Sequence, residues 1–260
     1  MNLVVDIGNT LTKIGVFQEG KLKEFSAYEL FSLDTIKHFL STHPSVKNII
    51  LSSVVAHNKN ISEYLRSEFN FIELTHETKI PIENLYQSPQ TLGNDRLASA
   101  VGANSLFRDQ NALAIDAGTC IKYDFVNSKN QYSGGGISPG IEMRFKALNQ
   151  FTDKLPLLNY TSSLTLLPQE KGTKYFNKLI GENSEESILS GVMNGVVEEV
   201  RGIIARYEGQ YPDVKVVFTG GYLKFFEKTF NIESNGKSSI FADSFLVLKG
   251  LNQILQFNAK

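Results

Sequence analysis

The sequence predicts a two-lobe α/β protein built from one duplicated β-β-β-α-β-α unit. Three observations carry that reading. First, "LVVDIGNTLTKIGVF" (3–17) returns as "LAIDAGTCIKYDFV" (113–126): an apolar strand, Asp-x-Gly, a polar residue and a second strand. Second, three strand patterns in a row open each half before helical periodicity begins. Third, residues 185–207 form one long helix, with Ile188, Leu189, Val192, Met193, Val196, Val197, Val200, Ile203 and Ile204 near a 3.5 spacing. The repeat alone divides the chain into lobes at 1–110 and 111–260.

The elements follow in order. Residues 2–6 and 11–18 are apolar and β-branched enough for strands, "EGKL" (19–22) is a hairpin turn, and 22–28 is a third strand. A short helix runs from Asp34 to Leu40, and "KNIILSSV" (47–54) is a buried parallel strand. A helix over 58–68 and a strand over 70–74 follow. "ETKIPIENLYQSPQTLG" (77–93) has no period and two prolines, and loops of that length inside compact domains tend to be functional. A helix spans 95–107. The second half repeats the pattern, with "NSKN" as a turn, a strand from "QYSGGGI", a helix from Pro139, a strand over 214–218 and a last helix over 242–256.

Composition narrows the function classes. The 260 residues are 42% hydrophobic and 20% charged, ordinary for a soluble enzyme, and such a chain can bury a core without staples. The 26 basic and 27 acidic residues leave a net charge of −1 and no basic tract, so a nucleic-acid partner is not expected. Cys120 is the single cysteine, which excludes a disulfide framework and fits a reducing compartment. "MNLVVDIGNT" has no basic n-region and breaks its apolar run at Asp6, so it is no signal peptide. No run approaches the roughly 20 apolar residues of a membrane span. A cytoplasmic location without membrane partners is the expectation.

Asp6 and Asp116 end matching strands. One such turn is most simply a tight hairpin. Two, each at the end of a buried strand, read as carboxylates facing one another across a nucleotide cleft between lobes. There they would hold a cation against a polyphosphate, while backbone N–H groups meet its oxygens. Gly8 permits close approach, Asn9, Thr10 and Thr119 add neutral donors, and Lys13 is either a charge for phosphate or a solvated strand lysine. "TGG" (219–221) is either an αL turn or a place for adenosine to lie against backbone.

Competing signatures are missing. There is no G-x-x-x-x-G-K-[ST], and "GGGISPG" (134–140) carries its last glycine one position late for a dinucleotide fingerprint. His38, His43, His57 and His76 lack metal-ligand spacing and read as ordinary surface or loop histidines. No nucleophile elbow exists for a serine triad. In "LGNDRLASA" (92–100), Asp95 is either a helix cap or the base that takes a proton from an attacking hydroxyl, and Arg96 would pair a carboxylate or phosphate. Asn183 and Glu186 have capping-box spacing, which makes Ser184 a first-turn residue unless a ligand reaches that helix end. Gly191 and Gly195 read as helix–helix contacts.

The ordered set Asp-x-Gly-Asn-Thr, Gly-x-Asp-Arg, Asp-x-Gly-Thr, Gly-Gly-x-Ile-x-Pro-Gly and Thr-Gly-Gly, from residue 4 to about 221, closely resembles the type III pantothenate kinases. That family belongs to the superfamily of acetate and sugar kinases, Hsp70 and actin. The resemblance implies a ribonuclease H-like (actin-like ATPase) fold and ATP-dependent phosphorylation of the pantothenate 4′-hydroxyl, the first step toward coenzyme A. By that likeness Asp6, Ile7, Gly8, Asn9, Thr10, Leu11, Thr12 and Lys13 form the ATP phosphate loop, and Thr119 contacts ATP. Tyr86, Gly93, Asn94, Asp95 and Arg96 bind pantothenate, with Asp95 as proton acceptor. Asp116 binds the monovalent cation, potassium or ammonium, that the family needs besides magnesium. Members are typically homodimers with the substrate pocket near the interface. Two positions depart from the family: Ser184 stands where a substrate-contacting Thr is usual, and Lys122 replaces a residue that is commonly Thr. A lysine so near the cation site bears on cation dependence. The alternatives are another kinase on the same scaffold, for a sugar or acetate, and a nonenzymatic nucleotide sensor.

Overall fold

The structure is a computed structural model that describes residues 1–55, 58–160, 178–230, 232 and 239–259. The chain opens with β1 (Asn2–Ile7), β2 (Thr12–Gln18) and β3 (Lys21–Tyr28). Glu19 and Gly20 join β2 to β3 with φ of 51° and 76°, the two positive values that a two-residue turn needs to follow the strand twist. α1 (Leu33–Ser41), β4 (Asn48–Ser53), α2 (Lys59–Glu68) and β5 (Asn70–Glu73) complete the first sheet's order, β3-β2-β1-β4-β5. β1 is antiparallel to β2 and parallel to β4, so the Asp6 strand is central.

The long loop is ordered. It contains β6 (Glu83–Asn84), which pairs with a later strand, and a 3-10 turn at Pro89–Thr91, before α3 (Asn94–Leu106). The second half contributes β7 (Ala112–Ala117), β8 (Cys120–Val126), β9 (Gln131–Pro139), α4 (Ile141–Gln150), α5 (Ser184–Gln210), β10 (Lys215–Thr219), α6 (Leu223–Thr229), β11 (Ile240–Ala242) and α7 (Leu246–Asn258). The second sheet runs β6-β9-β8-β7-β10-β11, the order of the first with β6 added at its edge. The predicted duplication is therefore present strand for strand. α6, β6 and β11 are the elements that periodicity did not reveal. Each is too short, at seven, two and three residues, to show a period.

The chain forms two compact units. The first holds Met1–Leu113, Asp124–Gly134 and Phe245–Lys260, and the second holds Ala114–Tyr123 and Gly135–Ser244. In the first, α3 and α7 cross at glycine. A Cβ at Gly250 would stand 1.9 Å from the Ala98 carbonyl oxygen, and one at Gly102 would stand 2.5 Å from that of Leu246. Only bare backbones can approach so closely. Leu248, Leu251 and Leu255 of α7 then join Val4, Ile50, Leu97 and Val101 in one apolar core. That packing fixes the axis of α3. Among the described residues no helix is long and apolar enough to cross a membrane.

Candidate active site

The first Asp-x-Gly turn hangs between β1 and β2. Asp6 is 8% exposed, faces Lys13 across the ladder and accepts the Ser52 hydroxyl proton at 3.3 Å on Oδ1. Register puts Asp6 and Lys13 on one face of the sheet. The Gly8 N–H donates to the Leu11 carbonyl at 3.1 Å and closes the turn, with Asn9 and Thr10 exposed at its tip. Residues 7–12 line a cavity of about 330 Å³ together with Phe31 and Ile61.

The second turn is built more tightly. The Gly118 N–H donates to the Cys120 carbonyl at 3.0 Å, and Thr119 is exposed. Two glycines from other elements press on the turn. A Cβ at Gly140 would lie 2.3 Å from the Gly118 carbonyl oxygen, and the Gly140 N–H donates to Thr119 at 3.1 Å. Gly220, at φ +96°, would bring a Cβ within 2.5 Å of both the Ala117 carbonyl oxygen and Asp116 Oδ1. "TGG" thus closes over the turn at Gly220, while Gly221 has nothing within 4 Å of where its Cβ would be. The other carboxylate oxygen, Asp116 Oδ2, lies 2.6 Å from Lys122 Nζ, with the two side chains 12% and 16% exposed.

A third cluster sits at the start of α3. Gly93 is the N-cap and supplies no side chain; Asp95 lies inside the first turn and accepts the Arg96 N–H at 2.8 Å. The capping reading of Asp95 thus gives way to a local contact with its neighbour. Asn94 ties the helix start down, donating to the carbonyls of Leu74 at 2.9 Å and Ser53 at 3.3 Å. Arg96 is 6% exposed. Its Nε donates to Asp124 Oδ1 at 2.9 Å, Nη2 lies 2.8 Å from the same oxygen, and the Tyr132 hydroxyl donates to that oxygen at 2.8 Å. Burial pulls the Arg96 pKa down, but the charges of Asp124 and Tyr132 and the hydrogen bonds to Asp124 and Tyr86 together outweigh it, and the net shift is up. Burial raises the Tyr132 hydroxyl, with Asp124 adding to it. Tyr86 lies over the other side, its ring 5.6 Å from the guanidinium carbon and stacked on Tyr132 at 6.2 Å. Gly134, at φ +114°, leaves room for that ring, since a Cβ there would come within 2.9 Å of it.

A second, half-buried network lies in the same unit as the Asp116 turn. Glu199 of α5 accepts hydrogen bonds from Tyr123 at 3.1 Å, Ser138 at 2.6 Å and Arg144 at 2.5 Å. Ser138 belongs to the "GGGISPG" run, so part of that motif is a brace for α5.

The family model for type III pantothenate kinase matches residues 2–206. A type III pantothenate kinase from Phocaeicola vulgatus is 43% identical over 260 residues, covering 100% of both chains. The chain belongs to the type III pantothenate kinase family. A second member, from Christiangramia forsetii, is 38% identical with 99% of each chain covered. Among solved structures, a ROK family glucokinase from Streptomyces griseus in complex with glucose and AMPPNP aligns with TM-score 0.54, 12% identity and 99% coverage of both chains. A glucokinase from an Antarctic psychrotroph aligns with TM-score 0.55, 14% identity and 99% coverage of both. These two show the shared fold, the sugar-kinase form of the actin-like architecture.

As a type III pantothenate kinase, the chain brings five of the expected substrate residues to one place: Tyr86, Gly93, Asn94, Asp95 and Arg96 meet at the start of α3. Ser184 lies in the second unit, in the first turn of α5, on a cavity of about 880 Å³ with Asn183, Ser187 and Arg144. Asn183 caps that helix by accepting the Glu186 N–H at 2.9 Å, as predicted. The reciprocal half differs, because the Glu186 carboxylate takes the Glu182 N–H at 2.9 Å. Among the described residues nothing lies within 4 Å of where the Cβ atoms of Gly191 and Gly195 would be, and Gly191 lines the Ser184 cavity with Ala147 and Leu148 of α4. Among the described residues no three His, Cys, Asp or Glu side chains gather into a metal cluster. His43 bonds Glu24 at 3.0 Å, far in sequence from either turn, and His57 lies outside the described residues. Sequence reasoning missed Asp124, Tyr132 and Glu199. The available signal was a charged or hydroxyl side chain set inside an otherwise apolar strand or helix face.

Proposed function

We propose that the start of α3 is the pantothenate end of this enzyme and that the Asp6 turn is its ATP end. The chain is an ATP-dependent kinase that phosphorylates pantothenate in coenzyme A biosynthesis. In the proposed reaction Asp95 accepts the proton of the pantothenate hydroxyl as that oxygen attacks the γ-phosphorus in line. Arg96, held by Asp124, directs its remaining donors at the substrate carboxylate. Asn9 and Thr10 offer N–H and hydroxyl donors to phosphate oxygens, and Lys13 adds charge. A hydroxyl attacking phosphorus depends more on placement and charge than on base strength, so an Asp at a helix start is adequate.

Magnesium fits the Asp6 turn. It usually keeps several waters and takes one or two carboxylates plus substrate phosphates, and Asp6 is a buried carboxylate beside a neutral hydroxyl. Bound there, magnesium would draw charge from the phosphate oxygens. The monovalent cation that the resemblance implies at Asp116 does not fit, because the Lys122 ammonium already holds that carboxylate. A homodimer and a cytoplasmic location belong to the same proposal. Gly191 and Gly195 of α5, with nothing among the described residues within 4 Å of where their Cβ atoms would be, support the first, and the single cysteine supports the second.

The buried Arg96–Asp124–Tyr132 cluster carries the reading, since it fixes a charged guanidinium under the Tyr86 ring, on the residue next to Asp95. The test is ADP release on adding pantothenate, with a panel of sugars and acetate as controls. Asp95→Asn is expected to cut kcat about a hundredfold or more while an ATP analogue still binds. Near-normal turnover in that variant would remove Asp95 from the role.

A further inference from the structure

We infer that the Lys122 ammonium is a built-in replacement for the monovalent cation, so that this kinase turns over without potassium or ammonium ions. The inference rests on the ATP-dependent reading above.

Three observations at the second turn point the same way. Lys122 Nζ stands 2.6 Å from Asp116 Oδ2, a full ion pair. Both side chains are mostly buried, at 12% and 16% exposure, so the pair is not a surface contact that water and salt would dissolve. The other oxygen, Oδ1, is packed against Gly220, where not even a methyl group would fit. One carboxylate oxygen thus carries the ammonium, and the other lies close against the Gly220 backbone.

An ion arriving at this point would find its anionic ligand already neutralised and a like charge beside it. The ammonium supplies what such an ion would: one positive charge at the carboxylate, with three N–H donors to distribute among nearby oxygens. It is also tethered. A free ion must be captured from solution at the cost of its translational freedom, whereas the lysine is delivered by the hairpin itself. β8 runs back beside β7, and a four-carbon stem reaches the acid six positions earlier in the chain. Lys122 acts through Asp116 and the turn that carries Thr119, as a positioning residue.

The experiment uses the full chain in choline, potassium and ammonium chlorides at matched ionic strength. Two readouts run in parallel: pantothenate-dependent ADP release, and the melting temperature with magnesium and AMPPNP. The wild type is expected to turn over equally in the three salts and to show no potassium-specific rise in melting temperature. Lys122→Thr is expected to lose about tenfold or more of its turnover in choline and to recover it in potassium, a rescue that a merely structural lysine would not show. Activation of the wild type by potassium, a potassium-specific melting shift, or a loss in Lys122→Thr that potassium does not restore would each overturn the inference. Absence of pantothenate turnover in every salt would sink the substrate reading instead. The melting measurement on the wild type would still decide the lysine, for or against.

Discussion

At the first turn, Asp6 meets the neutral Ser52 hydroxyl and shares a sheet face with Lys13; at the second, Asp116 meets the Lys122 ammonium at 2.6 Å and the backbone of Gly220. The lysine follows the acid by seven positions in one copy and by six in the other. The first turn is loosely held, with exposed residues at its tip and a cavity beside it. The second is clamped by two glycines that accept no side chain. One motif has thus been put to two uses: a turn open to a ligand, and a turn whose charge is satisfied from within the fold.

Changes to the acids should separate those uses. Asp116→Asn leaves the Lys122 ammonium in a mostly buried place without its counter-charge, and should destabilise the fold by roughly 3 kcal/mol, read as a drop in denaturant midpoint. Asp6→Asn keeps shape and the Ser52 contact. It should cost about a hundredfold in turnover with little change in that midpoint. Equal effects of the two variants on stability would erase the contrast. Glycine changes should sharpen it. Gly220→Ala meets a positive φ and two oxygens at 2.5 Å, and should cost roughly 2 kcal/mol. Gly8→Ala brings a Cβ to 3.0 Å from one carbonyl oxygen and should cost less than about 1 kcal/mol.

The smallest expected effect concerns acid. Burial pushes Glu199 up, but the hydrogen bonds from Arg144 and Ser138 with the Arg144 charge outweigh it, and the net shift is down. A carboxyl whose folded pKa is lowered adds stability above its unfolded value, about 4.3, and loses it as pH falls through the folded value. The wild type should therefore lose more stability than Glu199→Gln between neutral pH and about pH 3, in urea titrations at each pH. Parallel losses would show that the Glu199 carboxylate does not hold α5 through Arg144 and Ser138.

The duplication was legible because strands and turns are local: alternating apolar residues, Asp-x-Gly and a two-residue hairpin each declare themselves within ten positions. The gathering at the start of α3 was legible only in part. Asp95 and Arg96 announce a helix start, but the partner that holds Arg96 lies 28 residues on, in "IKYDFV", where nothing local tells a buried counter-ion from a strand-edge acid. Lys122 shows the same limit. Its identity stood out, while the direction of its side chain depended on how the hairpin folds back.

The crossing of α3 and α7 has a consequence for synthesis. The first unit's core draws Val4 and Ile50 from the earliest part of the chain and Leu248, Leu251 and Leu255 from the latest. A ribosome working from one end to the other therefore holds a half-made apolar core open until α7 emerges. Because α7 fixes the axis of α3, the helix bearing Asp95 cannot be set in place before α7 has left the ribosome.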